Sequence, residues 1–232
     1  MRAPTGPAKP EKEADPIIVH PDVRRMLMTQ KAFAEGSRAL AYSIALALDA
    51  QDHGEGQVQK DAIDLIALLT PINKAFLTDR GLECSNIGVQ VFGGHGFISE
   101  HGMEQIVRDV RISLLYEGTN GIQANDLIGR KLAGSKGQLV RKYIDQAEEF
   151  CAAISANSTL APFAETLKTH LQEWWQLSQL MLARGKEDPN FVATAAVDYQ
   201  EYSGYVVLAY LWARMAAVAA DKLANGTNEE AF

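Results

Sequence analysis

Cysteine is scarce in this chain: 232 residues contain two, Cys84 and Cys151. Two lone cysteines build neither a disulfide framework nor a C-x-x-C zinc pattern. Both fall in helical-looking runs, read as small buried hydrophobes, and suit a reducing compartment. Positive charge is also short, with 22 Lys and Arg against 29 Asp and Glu and a formal net charge of −7. That balance excludes the concentrated basic face of a nucleic-acid binder and gives no purchase on an anionic membrane. No uncharged apolar run reads as long enough to span a bilayer, and the N-terminus lacks the apolar core of a signal peptide. A cytoplasmic location is expected, with no nucleic-acid or membrane partner. Strand alternation and fixed-period repeats are missing. So are the phosphate loop G-x-x-x-x-G-K-[ST], H-E-x-x-H and G-x-S-x-G. His20, His53, His95, His101 and His170 form no i,i+4 pair, and no metal site is expected.

What remains is helical. Hydrophobic residues make up 47% of the chain, enough for a sizeable core. Residues 1–16 carry Pro4, Pro7, Pro10 and Pro16 among Lys, Glu and Ala, and read as a flexible tail. From Pro21, residues such as Val23, Met26, Leu40, Ile44 and Leu48 recur at helical spacing until the loop from Asp49 to Gly56. A second run carries Ile66, Leu69, Ile72 and Phe76 and ends at Gly93-Gly94. Pro71 inside it predicts either a kink or a new helix capped by Thr70. A short amphipathic segment spans Met103 to Ile112, and another helix is expected from about Thr119 to Leu132. "GSKG", residues 134–137, is the clearest linker. Three further helical runs follow, near residues 138–156, 162–183 and 191–223. The fold class is all-α: a helical bundle over residues 17–133 with an appended helical domain over 138–232. Trp174, Trp175 and Trp212, with several tyrosines, read as core or subunit interface in preference to a ligand box.

One stretch stands out, "QVFGGHGF…RDVRISLLYEGTNGIQ", from Gln90 to Gln123. Gly93 and Gly94 can end a helix, or let a ligand's phosphates approach the bare backbone. Arg108, Asp109 and Arg111 read as a salt-bridged structural cluster. Glu117 follows Ile112, Leu114, Leu115 and Tyr116. A carboxylate sheltered by such neighbours has a raised pKa, as a general base requires. The alternative is a solvated glutamate at a helix entry, favoured by the helix dipole. Gly118 frees the backbone beside it, and Thr119 and Gln123 add hydrogen-bonding groups.

These three linked motifs, "QVFGGHGF", "RDVRI" and "YEGTNGIQ", resemble the C-terminal helical domain of the acyl-CoA dehydrogenases. "HPDVRRML", "LLTP" and "EGTNGIQANDLIGRKL" resemble its long subgroup, typified by 3-methylmercaptopropionyl-CoA dehydrogenase, with an extra C-terminal helical domain. The resemblance implies FAD as cofactor and an acyl-CoA thioester as substrate. It makes Glu117 the base that removes the α-proton, while the β-hydrogen leaves as hydride to flavin. It places Gly118 at the substrate carbonyl. It assigns Gln90, Gly93 and Gly94 to the adenosine-pyrophosphate part of FAD, and Thr119, Asn120 and Gln123 to flavin nucleotide. It implies electron-transfer flavoprotein or a similar acceptor, and a homodimer or tetramer. Arg108 and Asp109 match a structural pair of the family. The family's N-terminal helical and middle β domains have no counterpart here, so the chain is expected to be the C-terminal portion of a longer enzyme, inactive alone. The alternative is a catalytically inactive binding or oligomerisation module on the same scaffold.

Overall fold

The computed structural model describes residues 2–3 and 5–226. Met1, Pro4 and residues 227–232, which belong to the expected tail and to the end of the expected last domain, lie outside the described residues. No strand occurs among the described residues, and the all-α class holds. The helices are α1 (Pro21–His53), α2 (Gly56–Phe92), α3 (Gly94–Phe97), α4 (Met103–Arg111), α5 (Asn120–Asp126), α6 (Gln138–Ile154), α7 (Ala161–Glu187) and α8 (Pro189–Ala224). They sort into two compact units: Met1–Glu35 with Thr78–Tyr116, and Gly36–Leu77 with Glu117–Phe232.

In the first unit, the N-terminal half of α1 meets the C-terminal half of α2. The Gln30 side-chain amide donates to the Cys84 carbonyl at 2.9 Å, and the Arg80 guanidinium lies over the Phe33 ring at 5.6 Å. At Gly88 the flexible Met103 side chain of α4 rests against bare backbone, its Cε 2.7 Å from where a Cβ would sit. The proline-rich start, expected to be a flexible tail, forms turns around one carboxylate. Asp15 accepts from the backbone N–H groups of Ala3, Ala8 and Lys9 at 2.8, 2.9 and 2.8 Å. These bonds, the one from Ala3 foremost, hold its carboxyl below the usual carboxylate range. The organising residue is Asp15, which a reading based on proline content passes over.

In the second unit, α6, α7 and α8 pack with the C-terminal half of α1 and the N-terminal half of α2. Leu40, Leu68, Ile72, Val140, Ile144, Leu171, Trp174 and Val207 are fully buried. Pro71 neither breaks α2 nor starts a new helix, since the helix runs unbroken from Gly56 to Phe92. Thr70 does not cap; its hydroxyl donates to the Ile66 carbonyl at 2.7 Å within the same helix. The buried Gln200 amide donates to the Pro71 carbonyl at 3.1 Å, tying α8 to this point. Gly204 lets α8 approach Phe76, whose ring meets Tyr205 edge-on at 5.0 Å. Tyr143 makes similar edge contacts with Trp174 at 5.9 Å and Tyr210 at 5.7 Å, so these aromatic residues form core. Lys142 of α6 reaches Asp61 at 2.6 Å and Asp64 at 2.5 Å on α2.

One expectation changes. The single helix anticipated over 119–132 is α5 followed by a π-helical turn, Leu127–Ala133. The Gly134 N–H bonds to the Gly129 carbonyl at 3.1 Å, five residues back. This wider turn lets the buried pair Leu127 and Leu132, five residues apart, share a face. By length and composition α8 is also apolar enough to cross a membrane, although Arg214 interrupts it. Its apolar residues serve as the buried centre of the second unit, Ala196, Val206, Val207, Leu211 and Ala213 among them.

Candidate active site

Between α4 and α5 the chain makes a 3-10 turn, Ile112–Leu114, and then leaves ordinary backbone space. Glu117 has φ 55° and Gly118 has φ 86°. Left-handed backbone costs a residue with a Cβ about 1–2 kcal/mol, so the surroundings must hold it there. Lys136 adopts a similar φ of 53° next to Gly137, in the tight turn that follows the π-helical segment. A positive φ is therefore not a mark of function by itself. What separates Glu117 is the set of side chains that hold its turn.

Four side chains do so, all within the second unit. The Gln123 amide donates to the Glu117 carbonyl at 2.9 Å. The Lys74 ammonium donates to the Gly118 carbonyl at 2.6 Å and to Asn120 Oδ1 at 2.9 Å. Asn120 Nδ2 in turn donates to the Ala75 carbonyl at 3.2 Å. The Thr119 hydroxyl caps α5, accepting from the Ile122 N–H at 3.4 Å. Gly118 suits its φ, and a Cβ there would lie 3.1 Å from the Gln123 amide nitrogen, crowding that bond. Thus Glu117, Gly118, Thr119, Asn120 and Gln123 do form one constellation. Asn120 and Gln123 spend amide hydrogen bonds on building it.

The expected shelter is not found among the described residues. The Glu117 side chain is exposed. Ile112, Leu115 and Tyr116 are 58%, 48% and 53% exposed, so the apolar run that should dry the carboxylate faces outward. Apolar composition announces a surface that favours burial; burial itself needs a partner surface.

Gln90, Gly93 and Gly94 lie in the first unit, at and just beyond the end of α2, and all three are exposed. Gly93 has φ 62° and ψ −146°, a conformation open essentially to glycine, and it stops α2. No atom lies within 4 Å of where a Cβ would stand at Gly93 or Gly94, so the backbone is open to approach there. The cluster at Arg108, Asp109 and Arg111 is not salt-bridged as expected. Asp109 accepts from Gln105 at 2.6 Å, and no ion pair joins it to either arginine. Both arginines rim an open groove of about 820 Å³ floored by Val89, Val107 and Ile112. No group of His, Cys, Asp or Glu suited to a metal occurs among the described residues.

Lys74 is the site residue that motif reading missed. Its only signal is position, a cation among the buried Ile72, Ala75 and Phe76 of α2.

Comparison with known proteins places this geometry in context. Residues 8–132 match the family model described as acyl-CoA dehydrogenase, C-terminal domain, and residues 143–232 match that described as acetyl-CoA dehydrogenase C-terminal like. The chain is 36% identical over 220 residues to 3-methylmercaptopropionyl-CoA dehydrogenase of Ruegeria pomeroyi, covering 94% of the chain and 37% of that protein. It is 33% identical over 223 residues to the broad-specificity linear acyl-CoA dehydrogenase FadE5 of Mycobacterium tuberculosis, covering 92% of the chain and 36% of that protein. The chain therefore spans little more than a third of the length of these relatives. Its fold is similar to that of Caenorhabditis elegans ACDH-11, solved in complex with C11-CoA, with a TM-score of 0.65 at 16% identity over 91% of this chain and 41% of that one.

Proposed function

The chain belongs to the acyl-CoA dehydrogenase family, as a C-terminal helical part, and from that premise we propose that it is the C-terminal portion of an FAD-dependent enzyme that dehydrogenates an acyl-CoA thioester between its α and β carbons. The observation that carries the proposal is the Glu117 turn. A carboxylate stands on a left-handed residue, beside a glycine, and the backbone under it is held by Lys74, Asn120 and Gln123. A base that removes a weakly acidic α-proton needs a fixed direction before it needs anything else. In this reading the Glu117 carboxylate takes the α-proton, and Gly118 leaves room beside it for the thioester carbonyl.

The residues present fit FAD in part. Gly93 and Gly94 leave open backbone where a pyrophosphate would approach, and the exposed Gln90 side chain lies one helical turn before them. Thr119 keeps an exposed side chain, whereas Asn120 and Gln123 are already engaged in the turn. When bound, the flavin supplies the hydride acceptor that no side chain offers. The remaining parts of the proposal are an electron-transfer flavoprotein or similar acceptor, a homodimer or tetramer, and a cytoplasmic setting. 3-Methylmercaptopropionyl-CoA is the first substrate to try, on the strength of the Ruegeria relative.

The exposure of Glu117 and its apolar neighbours supports one further element: the chain alone is not an enzyme. It is expected to elute from gel filtration without stoichiometric yellow flavin after incubation with FAD. In the longer dehydrogenase that the proposal requires, Glu117→Gln should lower kcat by about 10²–10⁴-fold with flavin absorbance retained. Turnover equal to that of the unsubstituted enzyme would reject Glu117 as base, and would favour an inactive scaffold module.

A further inference from the structure

We propose that Lys74 is the positioning residue of the Glu117 carboxylate, and that it acts by clamping the left-handed turn from outside the loop. The inference rests on the reading of Glu117 as the base.

Two consecutive positive φ values, 55° and 86°, point the Gly118 carbonyl away from the path of α5. A carbonyl turned out of a helix entry needs a donor. The loop supplies none; the donor comes from 44 residues earlier, as the Lys74 ammonium at 2.6 Å. The same ammonium donates to Asn120 Oδ1 at 2.9 Å, which fixes the Asn120 amide so that its Nδ2 reaches the Ala75 carbonyl at 3.2 Å. One cation thus ties both ends of the Gly118–Asn120 segment to α2, where Ala75 and Phe76 are buried. Gln123 secures the residue before it, through the Glu117 carbonyl at 2.9 Å. Charge-assisted bonds to neutral acceptors are stronger than amide bonds to the same acceptors, so Lys74 is the stiffer of the two ties. A lysine in an otherwise apolar stretch of α2 loses hydration. Its contacts to Gly118 and Asn120 help to compensate for that while the left-handed turn persists. The lysine and the turn therefore support each other.

The test uses Lys74→Met, which keeps length and volume but has no donor, and Lys74→Arg, which keeps charge and donors. In the 232-residue chain, amide hydrogen exchange across residues 117–123 should accelerate about tenfold in K74M, the scale of one charge-assisted bond lost, and recover most of the way in K74R. Exchange in α6–α8 serves as the reference for global stability. Unchanged exchange at 117–123, or a uniform rise throughout the second unit, overturns the clamp. In the longer dehydrogenase, K74M should lower kcat by about ten- to a hundredfold at constant KM for acyl-CoA, with rescue by K74R. A faster-exchanging turn with unchanged kcat overturns the positioning role. Glu117→Gln is run beside it. If E117Q alone leaves turnover intact, the base assignment fails, and the exchange data still decide whether Lys74 holds the turn.

Discussion

Gly204→Ala adds one methyl group at the closest approach of α8 to α2. The new Cβ would stand 2.3 Å from Phe76 Cδ2, 2.4 Å from Cγ and 2.9 Å from Cβ. Rotating the ring relieves the first contact but not the last, because Cβ is anchored to α2. Phe76 is 2% exposed, so its side chain has nowhere to retreat. Overpacking of this kind costs about 1–3 kcal/mol. Disturbing the edge contact with Tyr205, at 5.0 Å and 79°, adds a fraction of the roughly 0.5–1.5 kcal/mol such pairs contribute. Against this, alanine is the better helix former by about 0.5–1 kcal/mol. The net expectation is a loss of about 1.5 kcal/mol. For a chain of this length that lowers Tm by about 3–6 °C. The assay is thermal unfolding followed by circular dichroism at one fixed concentration. Gly129→Ala is the control: no atom lies within 4 Å of its added Cβ, and its Tm should hold or rise slightly. Phe76→Leu in the G204A background should couple favourably, the double variant losing less than the two single losses combined. A G204A chain at or above the parental Tm would refute the argument, since propensity would then outweigh the contact.

Lys142→Met should lower Tm near neutral pH, with the deficit vanishing in acid and shrinking in high salt. Hydrogen bonds from Lys142 and then Gln57 hold Asp61 below its ordinary 3.8. Its contribution is therefore present above that value and lost as pH falls through the lower folded value. For Lys142, burial disfavours the ammonium, but Asp61 and Asp64 outweigh it and raise its pKa. That contribution is present below 10.5 and lost as pH rises through the folded value. A K142M deficit that persists at pH 2 would count against the pairing. Tyrosine gives an alkaline counterpart: burial pushes Tyr199 up to about 12 and Tyr143 further still. Stability from these groups is complete below the ordinary value of 10 and falls as pH climbs beyond it. Absorbance titration at the phenolate band should show part of the tyrosine ionising only as the helices unfold. Simple titration of all seven at ordinary values would contradict the burial.

The helices were legible because apolar spacing is dense and repeated. Ile66, Leu69, Ile72 and Phe76 mark a face whether or not Pro71 lies among them, and three-dimensional packing then decides that α2 continues. A face on which Leu69, Ile72 and Phe76 are buried contributes more than the one bond that proline removes. The junction after Asp126 was illegible for the opposite reason. A π-helical turn differs from an α-helix by one residue of register. The pattern Leu127, Ile128, Leu132 is compatible with either until the i→i+5 bond from Gly134 to Gly129 is seen. Asp15 shows a third kind of limit. Its partners are backbone N–H groups of Ala3, Ala8 and Lys9, and no side-chain pattern records where backbone amides converge.

The same distinction separates the parts of the candidate site. Glu117 and Gly118 could be singled out as candidates from their order because a carboxylate and a permissive glycine are adjacent residues. Their support could not, because Lys74 stands 44 positions from the carbonyl it holds. Asn120 and Gln123 stand beside the candidate base, and each donates to a backbone carbonyl, at Ala75 and Glu117. A polar side chain near a base has two uses, to touch what reacts or to fix the base. At the left-handed Glu117 the second use is the one observed, since donors reach the carbonyls of Glu117 and Gly118. Replacing Gln123 by leucine would therefore be expected to loosen Glu117 as Lys74→Met does. Substitution of Thr119, which caps α5, should weaken the helix start with less effect on the direction of the carboxylate.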